Sequence, residues 1–598
     1  MKYRRISQYR RISKKEMEKV HVYIPEVYEQ LKQGRISRRE FMRTATLLGM
    51  SAGVATIAAA CGTGGTTVQE PVAEEPVAEE PVAEEPAAEE PVVEEEAATG
   101  GIVRGGTLRE GSQVKAVDHP ARYSWAFDAD QTRHVYEYLV ETDGENISHP
   151  FLLESWVPND DLTVWDLIVR EGVNWTNGDP LTAEDIKWNF EEWLNLDTGS
   201  SILALWEGFL TSSGIEVVDE RTLRLNLTAP LLAVPENLFH YPAQIIHPSF
   251  DGDITSGNTP STGAHIIDEY IVGERVRTVA RWSRGDEGYW RMGADGRPLT
   301  YIEAFEWIDL GEDSTAYVSA LQSGQLDVYA PAGASAYLAL RDNENLQIAS
   351  IGTSQTQTLR FRVDLDPWGD VRLRNAVKMV QDREKILDNA YFGEGDLGYD
   401  VHVAPVHPEW SPMDLPAYDP EGARALLDEA GLETLDFSIS VGSGWDYIVS
   451  FAETLAEDAR AAGINITLDT MPISAYWDLW TETPVGITTW THRPLAVMLL
   501  PLAYIADSEG NPVAWNESRW VDEEFSAILK EAQGTLDLEA RRALTAELQR
   551  IQLERGSVAI SFYRDVWTAH NPGYQGILAH PTGYRLYHEV WFDPEMAS

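Results

Sequence analysis

The spacing of apolar and polar positions along the chain first predicts helices. After Thr182, which can cap a helix together with Asp185, apolar residues recur every three to four positions. They are Ile186, Phe190, Trp193 and Leu194. A second helix is predicted to begin at Asp419-Pro420, where the proline suits the first helical turn, and to stop at Gly431.

A third helical stripe lies near the end of the chain, and short β-branched runs lie between the helices. The stripe comprises Ala540, Leu544, Leu548 and Ile551, and Gly556 closes it. Strands are expected at 105–109, 222–227 and 464–468. This mixture predicts an α/β or α+β fold. At 598 residues the chain is long enough for two to four domains.

Charge distinguishes the N-terminal region from the rest of the chain and excludes some classes of partner. The formal net charge is −49, which excludes a general affinity for nucleic acid or for an anionic membrane surface. Residues 1–60 carry +8, residues 61–96 carry −12, and the remainder carries −45. The single cysteine, Cys61, excludes an internal disulfide framework, a CxxC redox pair and a cysteine-based zinc site.

The first 60 residues resemble an export signal. Residues 37–43 read SRREFMR, which looks like a twin-arginine signal, and a modest apolar run follows at 44–60. The run ends in Ala-Ala-Ala before Cys61-Gly62, which looks like a bacterial lipoprotein cleavage box with Cys61 as the lipidated residue. The alternatives are a short buried helix with a stray cysteine or a membrane span.

Residues 61–103 are expected to be a disordered tether. Proline recurs every five residues from Pro71 to Pro91 within a Pro-Val-Ala-Glu-Glu repeat. Proline at this density blocks helix and sheet, and like charges extend the segment. It would hold a folded body away from a membrane.

From about residue 104 onward the chain resembles family 5 of the extracellular solute-binding proteins, the oligopeptide- and dipeptide-binding group. The order and spacing of many short motifs carry the resemblance. They are GGTL at 105–108, YEYL at 136–139, LESW at 153–156, LIVREGVNW at 167–175, NGDPLTAED at 177–185, VVDERTL at 217–223, ALQSGQLDV at 320–328, DVRLRNA at 370–376, DRE at 382–384, YDP at 418–420 and LLDEAG at 426–431.

The resemblance implies a two-lobed fold of the periplasmic-binding-protein type, with a hinge and an extra subdomain in lobe I. Lobe I would comprise residues 104–355, including an inserted subdomain at about 139–236, together with the C-terminal residues 565–598. Lobe II would take 356–564. The two crossovers between the lobes would lie near 359–363 and 562–567.

The function implied is that of a substrate-binding component of an ABC importer. A small solute, either a peptide or a peptide-like molecule, would bridge the lobes and favour the closed state, which permease subunits would recognise. The protein would be a monomer on the outer side of the cytoplasmic membrane or in the periplasm, held by the lipid on Cys61. No cofactor and no metal are expected.

The candidate ligand residues begin with Arg493. In relatives that bind peptides, an aspartate shortly after a tryptophan pairs with the α-ammonium group. Here the matching residues 490–494 read WTHRP, which puts Arg493 at the acidic position with His492 before it and Trp490 at the start. An arginine would repel an ammonium group and bind a carboxylate, phosphate or polyol. The alternative is that Arg493 is an internal salt-bridge partner, with Asp446 or Glu482 as candidate acids.

Three further residues are candidates for the ligand site. Asn516, after Trp515, matches a position that contacts the ligand backbone, although it could equally cap the turn before Ser518. Trp445 lies in a glycine-rich loop suited to the wall of a cleft. The 20 tryptophans also suit an oligosaccharide ligand, although tryptophan is more often core.

No catalytic motif is present, so we expect a protein that is not an enzyme. The sequence has no P-loop, HExxH or GxSxG motif. The histidine pairs His240/His247 and His402/His407 lack a third metal ligand at a suitable spacing. Two rival hypotheses remain open: a secreted glycosidase that uses a pair of carboxylates, and a structural lipoprotein without a ligand.

Overall fold

The structure is a computed structural model, which describes residues 102–330, 334–444, 446–506 and 509–596. The predicted signal region at 1–60, the lipidated Cys61 and nearly all of the tether lie outside these residues, as does Trp445.

The strands of the described residues are numbered in chain order. They are β1 Thr107–Gly111, β2 Val140–Thr142, β3 Ser148–Pro150, β4 Leu153–Pro158, β5 Val164–Val169, β6 Ile215–Asp219, β7 Thr222–Asn226, β8 His265–Ile271, β9 Arg275–Ala280, β10 Ala304–Ile308, β11 Val328–Tyr329, β12 Gln347–Phe361, β13 Gly395–Leu397, β14 Leu435–Ser443, β15 Ile464–Pro472, β16 Val485–Trp490, β17 Val558–His570, β18 Tyr574–Gln575 and β19 Trp591–Phe592.

The α-helices of the described residues are numbered in the same way. They are α1 Ala126–Asp130, α2 Ala183–Leu194, α3 Leu203–Trp206, α4 Val234–Asn237, α5 Ser314–Gln322, α6 Ala334–Leu340, α7 Val371–Met379, α8 Arg383–Tyr391, α9 Pro420–Glu429, α10 Asp446–Ala459, α11 Ile473–Leu479, α12 Ala496–Tyr504, α13 Glu523–Gln533 and α14 Leu538–Arg555. Among the described residues, every helix is too short or too polar to span a lipid bilayer.

The predicted helices form with the caps that the sequence indicates. Thr182 and Asp185 make a reciprocal capping box at the start of α2. Asp419 caps α9, and Gly431 ends it in the left-handed region at φ 77°. In α14 the buried face differs from the predicted stripe, because Ala540 is exposed while Arg541, Thr545 and Gln549 are buried beside Leu548 and Ile551.

One large sheet runs through the molecule. Its strand order is β15-β14-β16-β12-β17-β11-β1-β10-β9-β8, and β13 pairs with β17. The expected strand at 105–109 is shifted, since Gly105 and Gly106 adopt positive φ angles and β1 begins only at Thr107. A separate four-stranded sheet, β4-β5-β7-β6, is formed within 153–226.

The two long strands β12 and β17 pair antiparallel at the centre of the large sheet. Their register shifts between Gly352 and Thr356 and again between Thr356 and Thr358. The predicted crossover at 359–363 lies at the end of β12, and the one at 562–567 lies within β17. Neighbouring strands therefore carry both segments that the sequence predicts as crossovers.

Separate hydrophobic cores lie on the two halves of this sheet. One packs β1, β10 and β11 against residues of the C-terminal segment, including Tyr574, Tyr587 and Val590. Another packs β12, β14 and β16 against α7, α8 and α10. A third core joins the four-stranded sheet and α2 to residues of α12, α13 and α14.

Candidate functional site

A cavity of about 550 Å³ is lined by two sets of residues that are far apart in sequence. One set lies within 124–241 and is joined by Gln355 and by His580, Thr582 and Tyr584. The other set lies within 477–515. The volume is within the range that holds a small ligand. In terms of the predicted domains, the two sets belong mainly to lobe I and lobe II.

A row of four tryptophans forms much of the second set. Trp477 lies on α11, Trp480 directly follows that helix, Trp490 ends β16, and Trp515 lies in the loop before α13. Successive ring centroids along the row are 5.8 Å apart for Trp477–Trp480, 6.5 Å for Trp480–Trp515 and 6.1 Å for Trp515–Trp490, each pair edge to face. We call these four residues the tryptophan row.

The indole of Trp490 is hydrogen-bonded to a buried carboxylate. Its indole Nε1–H donates to Glu517 Oε1 at 2.9 Å. Glu517 Oε2 also accepts from Arg360 Nε at 3.1 Å, and both side chains are almost fully buried. This hydrogen bond favours the observed orientation of the ring, because it satisfies the indole donor of a buried side chain.

Arg493 lines the cavity and has no carboxylate within 4 Å among the described residues. Its Nη1 donates to Thr491 Oγ1 at 3.1 Å and to the His492 carbonyl at 3.0 Å. Burial lowers the pKa of Arg493, and the hydroxyl groups of Tyr241 and Tyr584 oppose that shift. The guanidinium therefore keeps donors available in a partly desolvated position.

The acids considered as internal partners of Arg493 are placed as follows. Glu482 pairs with Arg519 at 3.2 Å and with Arg362 at 3.5 Å. The side chain of Asp446 lies outside the described residues. An internal salt bridge to Glu482 is therefore absent from this structure.

His492 also lines the cavity, but both of its ring nitrogens have protein partners. Nδ1 accepts from the Ser354 backbone N–H at 3.1 Å, and Nε2 lies 2.8 Å from Asn146 Oδ1. Burial lowers the pKa of His492 well below its usual range, so the ring is neutral and Nε2 is its donor. His492 thus links β12 to the segment around Asn146, which is beside the cavity.

The remaining sequence candidates are placed differently from one another. Trp515 is about half exposed and lines the cavity. Asn516 is fully buried and is not among the lining residues: its Nδ2 donates to the Trp520 carbonyl at 2.9 Å, and its Oδ1 accepts from Ser518. This is the turn-stabilising arrangement that the sequence offered as the alternative.

Several lining residues were missed by the sequence reasoning. Glu236 on α4 is one; its Oε1 accepts from Ser148 Oγ at 3.0 Å, and burial raises its pKa to about 7. Trp477 and Trp480 are others, and their three-residue spacing was the one signal that could have paired them. His240, His580 and Tyr584 come from segments with no motif to mark them.

Metal-binding arrangements are absent from the described part of the chain, where no three His, Cys, Asp or Glu side chains converge as they would around an ion. His402 Nδ1 lies 2.8 Å from the Tyr504 hydroxyl, and His407 Nε2 lies 3.1 Å from the Arg493 carbonyl. These histidines therefore have structural partners.

Comparison with known proteins gives a family and a fold. The family described as "Bacterial extracellular solute-binding proteins, family 5 Middle" matches residues 148–498. The dipeptide-binding protein DppE of Bacillus subtilis is 23% identical over 491 residues, covering 75% of this chain and 85% of that protein. The periplasmic oligopeptide-binding protein OppA of Escherichia coli is 22% identical over 493 residues, covering 76% and 86%.

Among solved structures, HbpA2 from Haemophilus parasuis matches with a TM-score of 0.70 at 21% identity. The match covers 82% of this chain and 100% of that chain. At this identity the match shows the fold.

Proposed function

This chain belongs to family 5 of the bacterial extracellular solute-binding proteins, and we propose that it captures a peptide or peptide-like solute in its tryptophan-lined cavity for an ABC importer. The observation that carries the proposal is the cavity itself, whose lining comes from two distant parts of the chain. A solute bound there contacts both sets of residues. Its binding free energy therefore favours the conformation that brings them together, and permease subunits recognise that conformation.

Arg493 is the residue that selects the solute. Its guanidinium is planar, carries donors in a fixed fork and has no acceptor atom. Because no carboxylate of the described residues pairs with it, an acidic or heavily hydroxylated part of the solute can do so. Trp490 and Trp515 flank the same space. This arrangement supports a ligand end opposite in charge to the α-ammonium group that relatives bind with an aspartate.

Export and anchoring belong to the same proposal. The twin-arginine run at 37–43 and the box that ends at Cys61 support a protein exported and then lipidated on that cysteine. The acidic tether would give the body freedom to reach a permease. The relatives named as periplasmic support this location. We also propose the lobes at 104–355, 356–564 and 565–598, and a monomeric state.

Catalysis forms no part of the proposed function. The relatives reported above are named as binding proteins. A glycosidase would need two carboxyl groups facing one another across the sugar, whereas Glu236 is the acidic residue among the cavity's lining residues. An oligosaccharide ligand is a second candidate, which the tryptophan row alone favours.

The experiment is a thermal-shift screen of a metabolite and peptide library, followed by calorimetry. For the best acidic ligand, Arg493→Ala is expected to weaken binding by on the order of 2–4 kcal/mol with little change in unfolding free energy. Arg341→Ala is the matched control, because Arg341 is exposed and lies outside the cavity. Unchanged affinity, or an equal loss of stability, would make Arg493 a structural residue.

A further inference from the structure

The protein exposes large indole rings to solvent at one place. Among the described residues, three tryptophans have more than a third of their surface exposed: Trp125 at 55%, Trp515 at 48% and Trp477 at 38%. All three line the cavity. Exposed tryptophan is uncommon, because burial of so large an apolar surface is favourable. The coincidence of all three in one cavity indicates that a ligand covers them.

The indoles are arranged to receive a flat group. Trp477, Trp480, Trp515 and Trp490 contact one another edge to face, so no two of their rings cover each other completely. Trp125 belongs to the other set of lining residues and stacks on Phe127 with centroids 6.1 Å apart. A planar ring between these two surfaces would meet aromatic side chains on more than one side.

Many polar side chains of the cavity already make hydrogen bonds to other groups of the protein. Thr488 donates to Glu517 and contacts Tyr476, and Thr489 donates to Gln357 at 2.7 Å. Gln355 donates to the Pro581 carbonyl and accepts from Arg564. These groups offer little to the many hydroxyls of a sugar, each of which would lose its water on binding.

Two histidines of the lining show the same commitment. His580 Nε2 donates to the Thr142 carbonyl at 2.8 Å, and its Nδ1 accepts from the Thr582 N–H at 3.2 Å. His492 uses both nitrogens within the protein, as described above. Apart from Glu236, His240, Tyr241 and Tyr584, the lining presents mainly indole surface and the guanidinium of Arg493.

We infer that the ligand is an aromatic carboxylic acid, with its ring against the tryptophan row and its carboxylate on Arg493. This inference rests on the proposed solute-binding function and narrows it. Edge-to-face and stacked aromatic contacts favour an aromatic ring over an aliphatic group, and the guanidinium binds a carboxylate by two parallel hydrogen bonds. The acid can be the C-terminus of a peptide with an aromatic residue or a free aromatic acid.

The test measures, by calorimetry on the full-length protein, the affinity of probes that differ in one feature. N-acetyl-alanyl-phenylalanine has a ring and a carboxylate, its C-terminal amide lacks the charge, and N-acetyl-alanyl-alanine lacks the ring. 3-Phenylpropanoate keeps ring and acid without a peptide bond, and glucuronate is an acidic sugar. We expect one or both of the aromatic acids to bind at least about tenfold more tightly than the other three probes.

The two aromatic acids distinguish the sources of the ligand. Tighter binding of N-acetyl-alanyl-phenylalanine indicates a peptide, and tighter binding of 3-phenylpropanoate indicates a free acid. Either result supports the inference. Equal affinity for the ringless acid or for glucuronate overturns it.

Variants of the row give a second, independent readout. Trp477→Leu with Trp515→Leu should weaken binding of the better aromatic acid about tenfold, and Trp477→Phe with Trp515→Phe should restore most of it. Leu196→Ala, a change at an exposed apolar residue outside the cavity, is the control. Because both tryptophans are exposed, the unfolding transition should stay in place. Unchanged affinity in the double leucine variant overturns the inference.

Failure of the inference and failure of the proposed function look different. If a ringless solute from the library binds through Arg493 while both aromatic acids do not bind, the inference is wrong and the solute-binding function stands. If neither the probes nor any library compound binds, both are wrong.

Discussion

Glu236 is the acidic side chain among the cavity's lining residues, and its burial makes stability depend on pH. Burial raises its pKa from an ordinary value of 4.5 to about 7. The folded protein therefore holds this proton to a higher pH than the unfolded chain does. The contribution of protonated Glu236 to the free energy of unfolding is therefore complete below pH 4.5 and is lost as pH rises through 7.

Glu236→Gln should remove that dependence. As pH rises from 4.5 to 8, the wild type should lose stability that the variant keeps. The free energy of unfolding of the variant, relative to that of the wild type, should therefore increase by at most about 3 kcal/mol. Chemical denaturation at several pH values measures the difference. Glu531→Gln, at an exposed residue of α13, should change little with pH. A constant difference between Glu236→Gln and wild type would contradict the account.

Both Arg493 and Glu236 line the cavity, but the sequence drew attention only to Arg493. Arg493 was found because it occupies a position where a motif places an acid. Glu236 carries no motif, and its contact with Ser148 joins residues 88 positions apart. Asn516 is the converse case, because it matches a motif position but its side chain does not line the cavity. Whether a polar group faces a ligand or its own loop depends on tertiary contacts that spacing does not encode.

The capping box of α2 is the local element that the sequence specified most directly. Thr182 accepts from the Asp185 N–H, and Asp185 accepts from the Thr182 N–H at 2.9 Å. Thr182→Ala should lower the free energy of unfolding by about 1 kcal/mol, because the Asp185 N–H loses its acceptor. The reciprocal hydrogen bond from the Thr182 N–H to Asp185 should weaken as well. Urea denaturation measures the loss.

Thr182→Ser is the matched control for the cap, because serine keeps the hydroxyl and should keep most of the stability. If serine and alanine destabilise equally, the hydroxyl is not what holds this helix end.

Beyond single helices, the sequence predicted types of element better than their arrangement. The short strand at 222–227 was predicted from β-branched residues and forms as β7. The central pairing of β12 with β17 joins segments about 200 residues apart, and β1 pairs in parallel with β10. Local pattern cannot specify such partners. The resemblance to a family supplied the two-lobed arrangement, which the comparisons confirm.

At the scale of the whole molecule, the proposal joins an acidic body to a membrane through Cys61. Cys61→Ser should move the protein from the membrane fraction to the soluble fraction, because the thiol that carries the lipid is removed. Cell fractionation with immunodetection measures the distribution. Thr66→Ser, five residues further along, should leave it unchanged. A Cys61→Ser protein that stays in the membrane fraction would contradict lipidation at this residue.

The proposed function requires the two lobes to close around a solute, and small-angle X-ray scattering measures this closure. The radius of gyration should fall when the tightest-binding solute of the library screen is added at saturation, because the ligand favours the closed state. Arg493→Ala at the same solute concentration should compact less. If calorimetry shows that the wild-type protein binds the solute but its radius of gyration stays unchanged, the lobes do not close around the solute.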